Sequence, residues 1–136
     1  MRKTGRAATV AAGVVITVSL GIGPAFAEGS WSSSIGGWLT GKESRHWSDS
    51  NRDNVATTVK FSGCSASHGT FRYAGLQLKK ERANLPDPVV ARDNNYCDTS
   101  SFGDVSAGKY YFNYSNMNGY DQPFAALTVS SVVVKY

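Results

Sequence analysis

Little in this chain invites catalysis. Glutamate occurs only as Glu28, Glu43 and Glu81, and histidine only as His46 and His68. The sequence has no Gly-x-Ser-x-Gly elbow, no histidine pair at zinc-ligand spacing and no paired glycosidase-like carboxylates. An imidazole that moves protons needs a carboxylate within hydrogen-bond reach, and Asp49 is the partner expected for His46. These gaps point to a protein that is not an enzyme and carries no cofactor. Long apolar runs are equally scarce. Beyond residue 27 no apolar run exceeds four residues, and Val132-Val133-Val134 is strand-like and far too short to span a bilayer, so no membrane insertion is expected.

Cysteine is rare too: Cys64 and Cys97 are the only two. A disulfide-dense scaffold is excluded, and their separation with two histidines makes no recognisable zinc spacing. One intramolecular bridge closing a loop of 97 − 64 = 33 residues is expected, and loop-closure entropy makes it worth about 3–4 kcal/mol. Oxidised cysteines suit an exported chain, and the N-terminus reads that way. Arg2, Lys3 and Arg6 precede the uncharged, largely apolar stretch Ala7 to Gly23, and Ala25-Phe26-Ala27 is a small-x-small cleavage motif. Residues 1–27 are therefore expected to be a cleaved secretory signal, leaving 28–136 as one secreted domain.

That division changes the meaning of the charge. The chain has 14 Lys and Arg against 10 Asp and Glu, a net +4, but three of the positive charges lie in the leader. The remaining domain carries 4 − 3 = +1, dispersed over strand ends and turns. Nucleic acid is not an expected partner, because its binding needs Lys and Arg clustered on the folded domain.

What the domain does contain is alternation of β-branched and aromatic residues between Gly, Asn, Asp, Ser and Pro clusters. Strands are predicted over Val55 to Ser62, Thr70 to Lys80, Val89 to Arg92, Lys109 to Tyr114 and Phe124 to Tyr136. A short segment begins at Tyr96-Cys97, and one or two strands fall between Trp31 and Trp47. In the second strand Phe71 and Tyr73 share one parity and Leu76 and Leu78 the other, which marks Gly75 as a β-bulge. In the last strand Val132, Val134 and Tyr136 oppose Val129, Ser131 and Val133. Seven or eight short strands need two facing sheets, so the predicted fold is all-β, an antiparallel β-sandwich of immunoglobulin-like or jelly-roll-like type. The stretch Asp104-Val-Ser-Ala-Gly108-Lys-Tyr110 resembles the turn-Gly-x-Tyr lead-in to a late strand of many immunoglobulin-like and jelly-roll domains. The resemblance implies a tyrosine corner, with the Tyr110 hydroxyl bonded back to the preceding loop.

Function is expected on loops. Asp49, Asn51 and Asp53 open a D-x-N-x-D calcium pattern, but Asn54 and Lys60 stand where that loop needs Gly and Glu, so no metal is assigned and calcium stays a candidate only. Trp and Tyr rings on a secreted sandwich can stack on sugar faces while polar side chains bond the hydroxyls. Arg45, Trp47, Asp49, Asn118, Tyr120 and Asp121 are the residues predicted to contact a ligand. Competing with that, Trp38, Trp47, Tyr110 and Phe112 are what a small sandwich needs in its core. The expectation is a non-catalytic extracellular binding or structural protein whose ligand is a polysaccharide, including cell-wall polymer, or a protein. The alternative is an extracellular protease inhibitor presenting the stiff loop Leu85-Pro86-Asp87-Pro88.

Overall fold

The computed structural model describes residues 28–121 and 125–136; the expected leader and residues 122–124 lie outside the described residues. Eight strands follow in chain order: β1 (Ser30–Trp38), β2 (Trp47–Asp49), β3 (Thr58–Ala66), β4 (Ala74–Lys80), β5 (Val89–Asn95), β6 (Thr99–Ser101), β7 (Gly108–Met117) and β8 (Leu127–Lys135). No helix occurs among the described residues. Two four-stranded antiparallel sheets form, ordered β1-β8-β3-β6 and β2-β7-β4-β5. β1 pairs with β8, β2 with β7, β3 with β6 and β4 with β5. The chain is thus one long hairpin, folded at the β4–β5 loop and wrapped so that successive pairs alternate between sheets. Of the two sandwich types expected, this is the jelly-roll strand order.

Parity along the strands explains the core. Thr57, Val59 and Phe61 point inward from one sheet, and Tyr110, Phe112 and Tyr114 point inward from the other; all are fully buried. Phe112 is the hub, with Trp31 stacked at 6.3 Å, Trp38 at 6.0 Å and Phe61 edge-on at 6.0 Å. The tyrosine corner forms: the Tyr110 hydroxyl donates to the Ser106 carbonyl at 2.5 Å. The bulge forms as well, with the β4–β7 register shifting between Gly75 and Leu76. A Cβ on Gly75 would lie 2.1 Å from the Asn116 amide, so a larger residue there would have to displace the Asn116 side chain.

Three boundaries differ from the sequence reading. β4 starts at Ala74 rather than Thr70, because the Arg72 and Tyr73 amides donate to the Asn118 side chain instead of a strand partner. Tyr96-Cys97 is a turn before β6, not the start of a strand. In β8, Val129 is buried together with Val132 and Val134, so the alternation breaks at Ser130-Ser131, two residues that stand opposite the single Ser34 of β1. The Cys64–Cys97 bridge is present and ties β3 to the β5–β6 turn.

Wrapping also assigns the loops. The β1–β2, β3–β4, β5–β6 and β7–β8 connections lie at one end of the sandwich. The β2–β3, β4–β5 and β6–β7 connections lie at the other, with Gly29 and Tyr136 bonded to each other there.

Candidate functional site

The six residues predicted to contact a ligand do not share a surface. Trp47 is 4% exposed and packs between Trp31 and Tyr136, with ring centres 5.9 Å from each. It belongs to the core. Asp49 is also buried, and Arg45 lies with its guanidinium carbon 5.3 Å from the Trp31 ring centre. Trp47 and Asp49 pair with Tyr110 and Gly108 at the start of β7. Asn118, Tyr120 and Asp121 follow the other end of that strand, roughly 30 Å away at a strand rise of about 3.3 Å per residue.

At that far end the structure assembles something the sequence reading did not. Tyr120 is 69% exposed and Tyr96 57%, the two most exposed aromatic side chains among the described residues. Half-buried Tyr73 lies beside Tyr96, ring centres 5.1 Å apart and tilted by 50°. Gly119 packs against the Tyr73 hydroxyl so closely that a Cβ there would sit 2.7 Å from it, and this brings Tyr120 to the same end. Three separate loops therefore deliver three tyrosines to one end of the sandwich.

Each loop is held. The Asn118 side chain accepts from the Arg72 and Tyr73 amides at 2.8 and 3.0 Å and donates to the Thr70 carbonyl at 2.8 Å. Its oxygen and one of its two amide hydrogens are taken up within the fold, so Asn118 holds the Tyr73 loop in place. Asn95, fully buried, bonds the Cys97 and Asp98 amides through Oδ1, and Cys97 is held in the left-handed region at φ 65°. The disulfide fastens the same turn from below. Asp121 accepts from the Thr40 hydroxyl and keeps a second carboxylate oxygen for a ligand. Nearby Tyr114 has its hydroxyl pushed up to about 12, by burial first and by the Asp121 charge second.

The opposite end gathers carboxylates among basic residues. Glu28 accepts from the Ser50 and Arg52 amides, and the Asn51 amide donates to Asp49 at 2.8 Å. Burial raises the Asp49 carboxyl above its ordinary range, and the Glu28, Asp53 and Asp104 charges add to the rise. Asp49, Asn51 and Asp53 thus build turns. Among the described residues no three His, Cys, Asp or Glu come together as a metal ion would require. His46 does find carboxylates, but not Asp49: Nδ1 bonds Glu81 and Nε2 lies 3.2 Å from Glu43. Its ring stacks on Tyr111 at 4.2 Å, and the Tyr111 hydroxyl donates to Asp87 at 2.7 Å. Burial works against protonation of His46, yet the bonds to Glu81 and then Glu43 outweigh it and raise its pKa. The two glutamates hold opposite ring nitrogens, so both edges of the imidazole are spoken for and neither is presented to a substrate. His68 lies in the β3–β4 loop with Ser67, remote from this group.

The chain matches no family model, no curated protein and no solved structure.

Proposed function

We infer that this is an exported, non-catalytic binding protein that holds a polysaccharide or cell-wall polymer against the tyrosine end. One observation carries the reading: Tyr73 and Tyr96 lie side by side with Tyr120 at the same end, two of the three with most of their surface open to solvent, on loops held by a disulfide, the buried Asn95 amide and the half-buried Asn118 amide. An exposed aromatic ring supplies large contact area with few rotatable bonds, so little ordering is lost on binding. The polar hydroxyl of each ring and the free oxygen of Asp121 suit a ligand that is apolar on one face and hydroxylated at its rim. The disulfide, and a described domain without any helix able to cross a membrane, fit a protein working outside the cell.

Retention on insoluble polysaccharides and cell-wall material tests this. Tyr96→Ala and Tyr120→Ala should each weaken binding by about 1–2 kcal/mol, roughly 5- to 30-fold, with unchanged stability. Unaltered retention in the double variant removes the tyrosine end from consideration.

The inhibitor alternative keeps one favourable observation. Leu85 is 62% exposed on a loop that Asp87 staples through the Arg82 amide and the Tyr111 hydroxyl. The loop turns at Asn84, φ 59°, instead of running extended as a protease substrate does, and for that reason the tyrosine reading is preferred. Titration against extracellular proteases separates the two.

A further inference from the structure

A second site lies at the open edge between the sheets, away from the tyrosines. A cavity of about 70 Å³ enters there, floored by Ile35, Phe112 and Val132 and walled by Trp31 and Trp38. Its origin is local. β1 loses its register with β8 on both sides of Ile35, where Gly37 takes a positive φ of 64°, so the edge strand does not close over the core. The facing segment stays fixed: the Ser44 amide donates to the Phe112 carbonyl at 2.8 Å and its hydroxyl accepts from the Phe112 amide at 3.0 Å. Arg45 is thereby held at the mouth, its guanidinium over the Trp31 ring.

We propose that this slot binds a small aliphatic carboxylate, with Arg45 as its counter-ion. Among the described residues Arg45 forms no ion pair; both ion pairs belong to His46. A guanidinium that lies over an indole without a carboxylate partner keeps N–H groups to offer, and their fork matches a carboxylate bidentately. Behind the charge the walls are aromatic and aliphatic, and the volume is about half of the ~150 Å³ that holds benzene, which limits the occupant to a short alkyl group. Charge at the rim and methyl groups inside describe either a free short-chain acid or the last residue of a peptide with a small apolar side chain.

Amide-resolved NMR titration of the protein with butyrate, acetate, n-butanol and acetyl-alanyl-alanine tests the assignment. Butyrate is expected to give saturable shifts at the Trp31 indole and at Ile35 and Val132, with acetate and butanol roughly tenfold weaker because each lacks one half of the recognition. Arg45→Gln should weaken butyrate about tenfold or more, and Ser34→Phe, on the exposed rim, should block it without touching the core. Acetyl-alanyl-alanine binding as well as butyrate assigns the slot to peptide ends; butyrate alone assigns it to free acids. Absence of saturable shifts at millimolar butyrate, or shifts that survive Arg45→Gln, overturns the proposal.

Discussion

Asn95 holds the turn that presents Tyr96, and replacing it separates the forces involved. The residue is fully buried. Its Nδ2 donates towards the Val59 and Asp98 carbonyls and the Ser100 hydroxyl at 3.2, 3.1 and 3.0 Å, and its Oδ1 accepts from the Cys97 and Asp98 amides at 2.9 and 3.2 Å. A carboxamide has two donor hydrogens, so about four hydrogen bonds are lost in Asn95→Ala. At about 1 kcal/mol net each, less what water recovers around exposed Asp98, the loss is about 3 kcal/mol. Cys97 also loses the acceptor that keeps it in the left-handed region. Asn95→Asp keeps Oδ1 but turns a second oxygen towards two carbonyls in a site closed to water. Ionisation there is disfavoured, so the folded pKa of the introduced carboxyl lies above the unfolded ~3.9. Stability is then retained below the unfolded value and lost as pH rises through the folded one. Urea unfolding followed by fluorescence of buried Trp31 and Trp47, at pH 4.5 and 7.5, reads this directly. Asn95→Ala should run parallel to the parent at both pH values, whereas the deficit of Asn95→Asp should widen at the higher one. An Asn95→Asp protein as stable as the parent at pH 7.5 would refute the reasoning.

Two further outcomes follow from the same geometry. Reduction of Cys64–Cys97, or the double alanine variant, should cost about 3–4 kcal/mol by loop closure and should also lower polysaccharide retention, because Tyr96 adjoins the bridge; denaturant midpoints and retention with and without reductant check both. His46 should titrate above 6.5 by NMR and return towards it in Glu81→Gln. Its pairing contributes fully below pH 6.5, as long as the glutamates are ionised, and fades as pH rises through the raised folded pKa; a third of the side chain is exposed, so the effect stays within about 0.2–1 kcal/mol.

Much of the scaffold was readable because strands advertise themselves by parity. Val59 and Phe61, the Tyr110–Phe112–Tyr114 row and the Gly75 bulge follow from spacing alone, and the Tyr110 corner from the resemblance of its lead-in to that of other sandwich domains. The tyrosine end was not readable, and the reason is register. Ala74 lies opposite Asn95, and the same register continued one step puts Tyr73 opposite Tyr96. Counting outward from the Pro86–Pro88 loop fails to find that pair, because a bulge between Leu78 and Lys79 shifts the hairpin by one residue. Trp47 was misplaced for a different reason: a core and a sugar platform both want an indole, and only its inward parity on a three-residue strand opposite Tyr110 separates the two uses. His46 was matched to Asp49, yet Glu81 reaches it from 35 residues away across the sheet, a contact no local spacing contains.

The wrapped hairpin explains why aromatic and acidic residues part company. Each connection reverses the chain, so alternate loops go to opposite ends and a given end samples every second loop of the sequence. Glu28, Asp49, Asp53, Glu81, Asp87 and Asp104, six of the ten carboxylate side chains, fall on or beside the β2–β3, β4–β5 and β6–β7 loops and the adjoining terminus. Tyr73, Tyr96 and Tyr120 flank the other set. Those carboxylates do not stand alone: Arg52, Lys79, Lys80, Arg82, Lys109 and Lys135 fall on or beside the same loops and strand ends, so that end is dense in charge of both signs, whereas Tyr73, Tyr96 and Tyr120 have Arg72, Asp98 and Asp121 close to them in the chain. Separation along the sequence could not show this division, because residues that share an end are interleaved with residues that do not. It is a property of the fold.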